Sequence, residues 1–228
     1  MKIKILTVVA VLMVAGALSA TPITVDNFST GFQSLTTTGT ASSSNVSCGT
    51  CLGGNRDLSA THISGSGLAA SSVLNPDAFL TFSHSSTGLG SGTATWNGMS
   101  SPVDLTSGGS NSMFFIDVQS DAAGVASSFF ITVVNSGGTL TSPVTAVSSL
   151  SSGAFVTYQI PMASFTGTGS LSTATSVVLS WSANSTNGGG DQVDFDNLAF
   201  ATPEPTTFGL MGAGLVALGL IARRRRNR

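Results

Sequence analysis

The sequence has little charge: Asp, Glu, Lys and Arg make up only 8% of its 228 residues. Basic residues are almost confined to the two ends. Lys2 and Lys4 open the chain, Arg223, Arg224, Arg225, Arg226 and Arg228 close it, and Arg56 alone lies between. All 10 acidic residues, Asp26 through Glu204, fall in that intervening stretch, which therefore carries a net charge of −9 against its one arginine. A body so short of cations cannot neutralise a row of phosphates, which excludes nucleic acid as a partner. Strongly anionic polymers are disfavoured on the same ground, unless a bound cation bridges the contact.

The residues of catalysis are scarce too. There are 2 histidines, and Glu204 is the sole glutamate. No Gly-x-Ser-x-Gly elbow occurs, and no His-x-His or His-Glu-x-x-His pattern supports a metal hydrolase. His62 and His84 each sit beside serines and read as surface or strand residues. A glycosidase would need two aspartates as its acid and base. No repeat of fixed period is present, which argues against a solenoid or propeller.

What the chain does have is a series of short β-like segments. "ITVDNF", "AFLTFS", "MFFIDV", "SSFFITVV", "AFVTYQI", "SVVLSW" and "QVDFDNLAF" are rich in β-branched and aromatic residues, with Gly, Ser, Asn and Pro between them. In "MFFIDV", Phe114, Ile116 and Val118 share one face, while Phe115 and Asp117 share the other. Sustained helical periodicity is absent outside the two apolar ends. About ten such strands predict an all-β fold, a single jelly-roll-like antiparallel β-sandwich over residues 21–200.

The ends read as addresses. "MKIKILTVVAVLMVAGALSA" has a basic start, a short apolar stretch and small residues placed for cleavage near Ser19 or Ala20, so residues 1–20 are predicted to be a signal peptide. Residues 206–222 are uncharged and just long enough to cross a bilayer as a transmembrane helix, and Arg223 to Arg226 would hold their end on the cytoplasmic side. Pro203-Glu204-Pro205, the short Gly-rich span and the arginine cluster occur in an order that resembles a PEP-CTERM sorting signal, here over residues 201–228. The resemblance implies export and membrane anchoring, followed by recognition by an exosortase-type protease. It also implies release near the Pro-Glu-Pro to the cell surface or extracellular matrix, where passengers of this type are linked to exopolysaccharide.

The passenger resembles, more diffusely, jelly-roll modules of the galactose-binding-like and carbohydrate-binding classes, through "TVDNF" at its start and "VDFDNLAF" at its end. A non-catalytic exported protein that binds or organises polysaccharide is the first functional expectation. A secreted glycan hydrolase and a structural surface protein without a specific ligand are the alternatives. Trp96, Tyr158 and Trp181 are able to stack on sugar rings, or equally to fill a sandwich core.

Three further positions carry expectations. Cys48 and Cys51 lie in a Gly/Ser loop of an exported chain, which favours a small disulfide over a redox centre. Asp194 and Asp196, two apart on a strand, point to the same face, whereas Leu198 and Phe200 continue that parity and call for a bulge near Asp196-Asn197. Two carboxylates so close cost energy unless solvated or shared by a cation. In the modules resembled, first and last strands often share a structural calcium, which would add Asp26 to the pair.

Overall fold

The computed structural model describes residues 21–74, 78–84, 88–120, 126–147, 154–185 and 191–202. The signal peptide expected at 1–20 and the sorting segment, with Pro203, Glu204, Pro205, the apolar run and Arg223 to Arg226, lie outside the described residues.

The first half of the described chain forms β1 (Ile23–Asp26), β2 (Gln33–Thr37), β3 (Thr40–Ser47), β4 (Asn55–Gly65), β5 (Ala69–Val73), β6 (Leu80–His84) and β7 (Gly88–Trp96). The second half forms β8 (Met113–Ser120), β9 (Ala126–Asn135), β10 (Gly138–Thr141), β11 (Thr145–Val147), β12 (Val156–Pro161), β13 (Thr166–Gly167), β14 (Ser176–Ser185) and β15 (Asp191–Ala201). One sheet, here sheet A, runs β12-β8-β15-β6-β5-β2, with β1 added beside β15. Sheet B runs β13-β10-β9-β14-β7-β4-β3, with β11 added beside β9. Every pairing is antiparallel, for example β15 with β8 and β14 with β9. The fold is an all-β two-sheet sandwich of the jelly-roll kind.

Alternation explains why these segments pack as they do. Along β8, Phe114, Ile116 and Val118 are fully buried while Phe115 and Asp117 face outward. Phe195 of β15 reaches across to sheet B, with ring centroids 5.9 Å from Phe129 and 5.5 Å from Trp181. Each such buried aromatic contributes about 1.5–3 kcal/mol. Strands poor in large residues serve the same core from below. At Gly92 of β7 a Cβ would lie 2.5 Å from the Trp181 ring, so the absence of a side chain there is what admits the indole.

Arg56 takes a core-facing position on β4, between the two sheets, and is fully buried. Its Nη1 donates to Asp26 Oδ2 at 2.6 Å and its Nε to Gln33 Oε1 at 3.0 Å. Nη2 donates to the carbonyls of Thr30 and Gly31. The guanidinium lies 5.2 Å from the centre of the Phe28 ring, a cation–π contact. Asp26 also accepts from Trp96 Nε1 at 2.8 Å and from the Phe28 backbone N–H at 2.7 Å. One ion pair thus joins β1 and β2 of sheet A to β4 and β7 of sheet B.

Removing one partner of a buried ion pair leaves the other charge uncompensated, which costs about 3–5 kcal/mol. Arg56→Met is therefore expected to lower the unfolding free energy by that amount in urea titration. Adding Asp26→Leu to it should recover only part of the loss, because Trp96 Nε1 and the Phe28 N–H then lack an acceptor. A single variant as stable as wild type would show that the pair is dispensable.

Candidate functional site

The tryptophans are core residues: Trp96 is fully buried with its N–H on Asp26, and Trp181 is 3% exposed beneath Phe82 and Phe195. Tyr158 turns inward as well, edge-on to the buried Phe129 at 5.6 Å. These three residues do not form an exposed platform, because strand parity assigns each to the inner face. Besides Phe115 within β8, the outward-facing aromatics include Phe32 and Phe155 beside strand ends, 46% and 37% exposed, which the sequence pattern alone did not single out.

The outer face of sheet A can be followed strand by strand. Gln33 pairs with Val73, and Val73 with Leu80, all three core-facing. One residue beyond, alternation turns Phe32, Leu74 and Phe79 to the outside; Phe32 and Leu74 are each 46% exposed. The same register continues across β15 and β8, where Asp196 pairs with Asp117, and onto β12, where Thr157 pairs with Asp117. The row Phe32, Leu74, Phe79, Asp196, Asp117, Thr157 thus crosses six adjacent strands. At about 4.8 Å per strand it is about 24 Å long.

Phe155, immediately before β12, meets Phe79, immediately before β6, with ring centroids 5.8 Å apart. Since β15 and β8 lie between those strands, the two rings span them on the side away from the core. Asp194 sits on this outward side of β15, yet is only 3% exposed, and both its oxygens accept from Gln192 Nε2 at 2.9 Å.

The charged part of the row is held by a bulge. The β15–β8 register shifts between Asp196 and Ala199, and Asn197 adopts φ 51°, a left-handed conformation that asparagine tolerates better than most residues. This bulge restores Leu198 and Phe200 to the core. It also aims the Asn197 amide at both carboxylates, 3.0 Å from Asp117 Oδ2 and 3.1 Å from Asp196 Oδ2. Thr157 Oγ1 donates to Asp117 Oδ1 at 2.5 Å. Burial, above all, pushes the Asp196 carboxyl above its ordinary range; the charges of Asp117 and Asp26 push the same way, against the Asn197 backbone N–H.

β1 does pair with the last strand, Asp26 standing opposite Leu198. Asp26 nevertheless does not assemble with Asp194 and Asp196 as a calcium set, because its oxygens are turned inward to Arg56, Trp96 and the Phe28 N–H. The carboxylate that the fold sets beside Asp196 is Asp117. A calcium ligand set of Asp26, Asp194 and Asp196 therefore does not fit this geometry.

Asp26 has other ligand-type neighbours. Its carboxylate and the sulfurs of Cys48 and Cys51 lie within 4.8 Å of one another. The sulfurs are bonded to each other as a disulfide, with Cα atoms 5.4 Å apart, so this group too is already committed. His62 of β4 and His84 of β6 meet between the sheets, Nδ1 to Nε2 at 2.8 Å, in a hydrogen bond that requires one ring to donate and the other to accept.

A carboxyl that titrates higher in the folded chain than in the unfolded one binds more protons when folded. Ionisation of Asp196 then opposes folding above the raised pKa, and acidification through it relieves the opposition. Asp196→Asn is expected to melt higher than wild type at neutral pH, with the gap closing toward the ordinary aspartate range. The same melts with millimolar calcium and with chelator report on cation binding at Asp194 and Asp196. A midpoint that rises with calcium in wild type and not in the variant is the signature of a shared ion, and one at about a hundred times its Kd would add about 2.7 kcal/mol.

Comparison with known proteins adds the following. The family 11 carbohydrate-binding module from Clostridium thermocellum, solved with a β-1,3-1,4-mixed-linked tetrasaccharide, is similar over 79% of this chain and 95% of its own, at 14% identity and TM-score 0.43. A mutant of a family 29 carbohydrate-binding module is similar over 80% of this chain and 93% of its own, at 13% identity and TM-score 0.37. An agarase is similar over 80% of this chain but 24% of its own, at 8% identity and TM-score 0.45. The architecture stated above rests on this chain's own strand pairing. No curated protein matches the sequence. Residues 201–226 match the PEP-CTERM protein-sorting motif, so the sandwich is followed directly by a sorting signal.

Proposed function

We propose that the chain is an exported, non-catalytic surface or matrix protein whose outer sheet-A face binds polysaccharide. The observation that carries this reading is the transverse row of Phe32, Leu74 and Phe79 leading into Asp196, Asp117 and Thr157. Aromatic faces stack on the C–H faces of sugar rings, while carboxylates and amides exchange hydrogen bonds with their hydroxyls. A long open row suits a linear chain of several sugars better than a single small ligand. Support for export comes from the sorting motif at residues 201–226.

The carboxylates suit holding better than hydrolysis. Asp117 and Asp196 both accept from one asparagine amide, and Asp117 is further tied to Thr157. That network orients both groups on a single side of the sheet.

Two experiments test the proposal. In glycan-array and affinity-electrophoresis measurements, Phe79→Ala and Phe155→Ala should each weaken retention by about tenfold, in line with about 1–1.5 kcal/mol for one lost aromatic contact. No reducing sugar should be released. Retention unchanged in both variants would remove this face from consideration, and release of sugar would favour the hydrolase.

Sorting is tested on the exported product. Processing by an exosortase-type protease predicts a mature protein that ends near Pro203-Glu204-Pro205, read by intact mass spectrometry. A product that still ends at Arg228 would show that the segment acts as a permanent anchor. Neutral replacement of Arg223 to Arg226 should disturb anchoring, since the positive stop is removed.

A further inference from the structure

We infer that the polysaccharide taken by the outer face of sheet A carries free amino groups, protonated at neutral pH. The inference rests on the polysaccharide reading above and narrows its ligand by charge complementarity. Between Ile5 and Ala222 the sole Lys or Arg is Arg56. It is fully buried and spent on Asp26, Gln33 and two backbone carbonyls. The folded body therefore offers no lysine or arginine to a uronate or sulfate group.

The apolar row, in contrast, ends on carboxylates. Phe79 is followed across the sheet by Asp196 and Asp117, directly opposed on neighbouring strands. Like charges so placed repel, and among the described residues the side-chain donors to the pair are the neutral groups of Asn197 and Thr157. A sugar stacked beside Phe79 with an ammonium in place of a hydroxyl would bring a positive charge to this pair. Its hydrogen bonds to carboxylate are of the charge-assisted kind, stronger than those of a neutral hydroxyl. An N-acetylated sugar retains the stacking and loses the charge.

The test uses the full chain in detergent, with three oligosaccharide probes of equal length: β-linked glucosamine, its fully N-acetylated counterpart, and a uronate. Calorimetry or fluorescence titration at low and high salt measures each affinity. Glucosamine oligomer is expected to bind at least about tenfold tighter than the acetylated form, with the margin falling as salt rises. Asp117→Asn and Asp196→Asn, isosteric changes, should each remove most of that margin, weakening the glucosamine oligomer far more than the acetylated one, which loses at most a neutral hydrogen bond. Equal binding of the amino and acetylated oligomers would overturn the inference while leaving the polysaccharide reading intact. Tighter binding of the uronate, with or without calcium, would overturn it in favour of an acidic polymer. Binding to no oligosaccharide at all would overturn both.

Discussion

The buried pair of Asp26 and Arg56 is the interaction on which the rest of the arrangement turns. A lone arginine between two sheets is tolerated because each of its guanidinium nitrogens donates to an acceptor, and those acceptors belong to separate parts of the fold. The carboxylate in turn anchors the Trp96 indole and the backbone at Phe28. This draws in β1, the turn before β2, β4 and the end of β7. It also places the β1–β15 pairing, and β15 is the strand that carries Asp194, Asp196 and the bulge. The outer face is shaped from within by a charge that never reaches it.

Segments built from large apolar residues were legible as strands because their alternation is strong. "MFFIDV" and "SSFFITVV" became β8 and β9, with inner and outer faces as the parity requires. β3, β5 and β7, written in Ser, Thr, Ala and Gly, were not. Their composition is that of loops, and only their neighbours explain it: Gly92 is paired with Trp181 on the adjacent strand of its own sheet, and a Cβ at Gly90 would stand 2.7 Å from the Phe82 ring on the facing sheet. A small residue beside a large one on another strand is a pairwise property, invisible while either strand is read alone.

The candidate site was legible in part for the same reason. The shared face of Asp194 and Asp196, and the need for a bulge after them, follow from local alternation. That Asp117 rather than Asp26 stands beside Asp196 depends on strand order, which no local pattern encodes. Trp96 and Trp181 had the chemistry of a sugar platform, but size drew them inward, since a large apolar side chain gains most where it is fully covered. The outward role passed to Phe32, Phe79 and Phe155, each immediately before a strand.

The position of β15 bears on how the domain would carry load. It is an interior strand, laddered to β8 on one side and to β6 and then β1 on the other. Whatever is joined beyond Thr202 therefore pulls on the strand with the most neighbours in its sheet. A force along its length strains many ladder hydrogen bonds at once, in shear, where the same force on an edge strand such as β2 or β12 would meet one neighbour alone. A surface protein held at its C-terminus and gripped on its outer face would be tugged along its strongest seam.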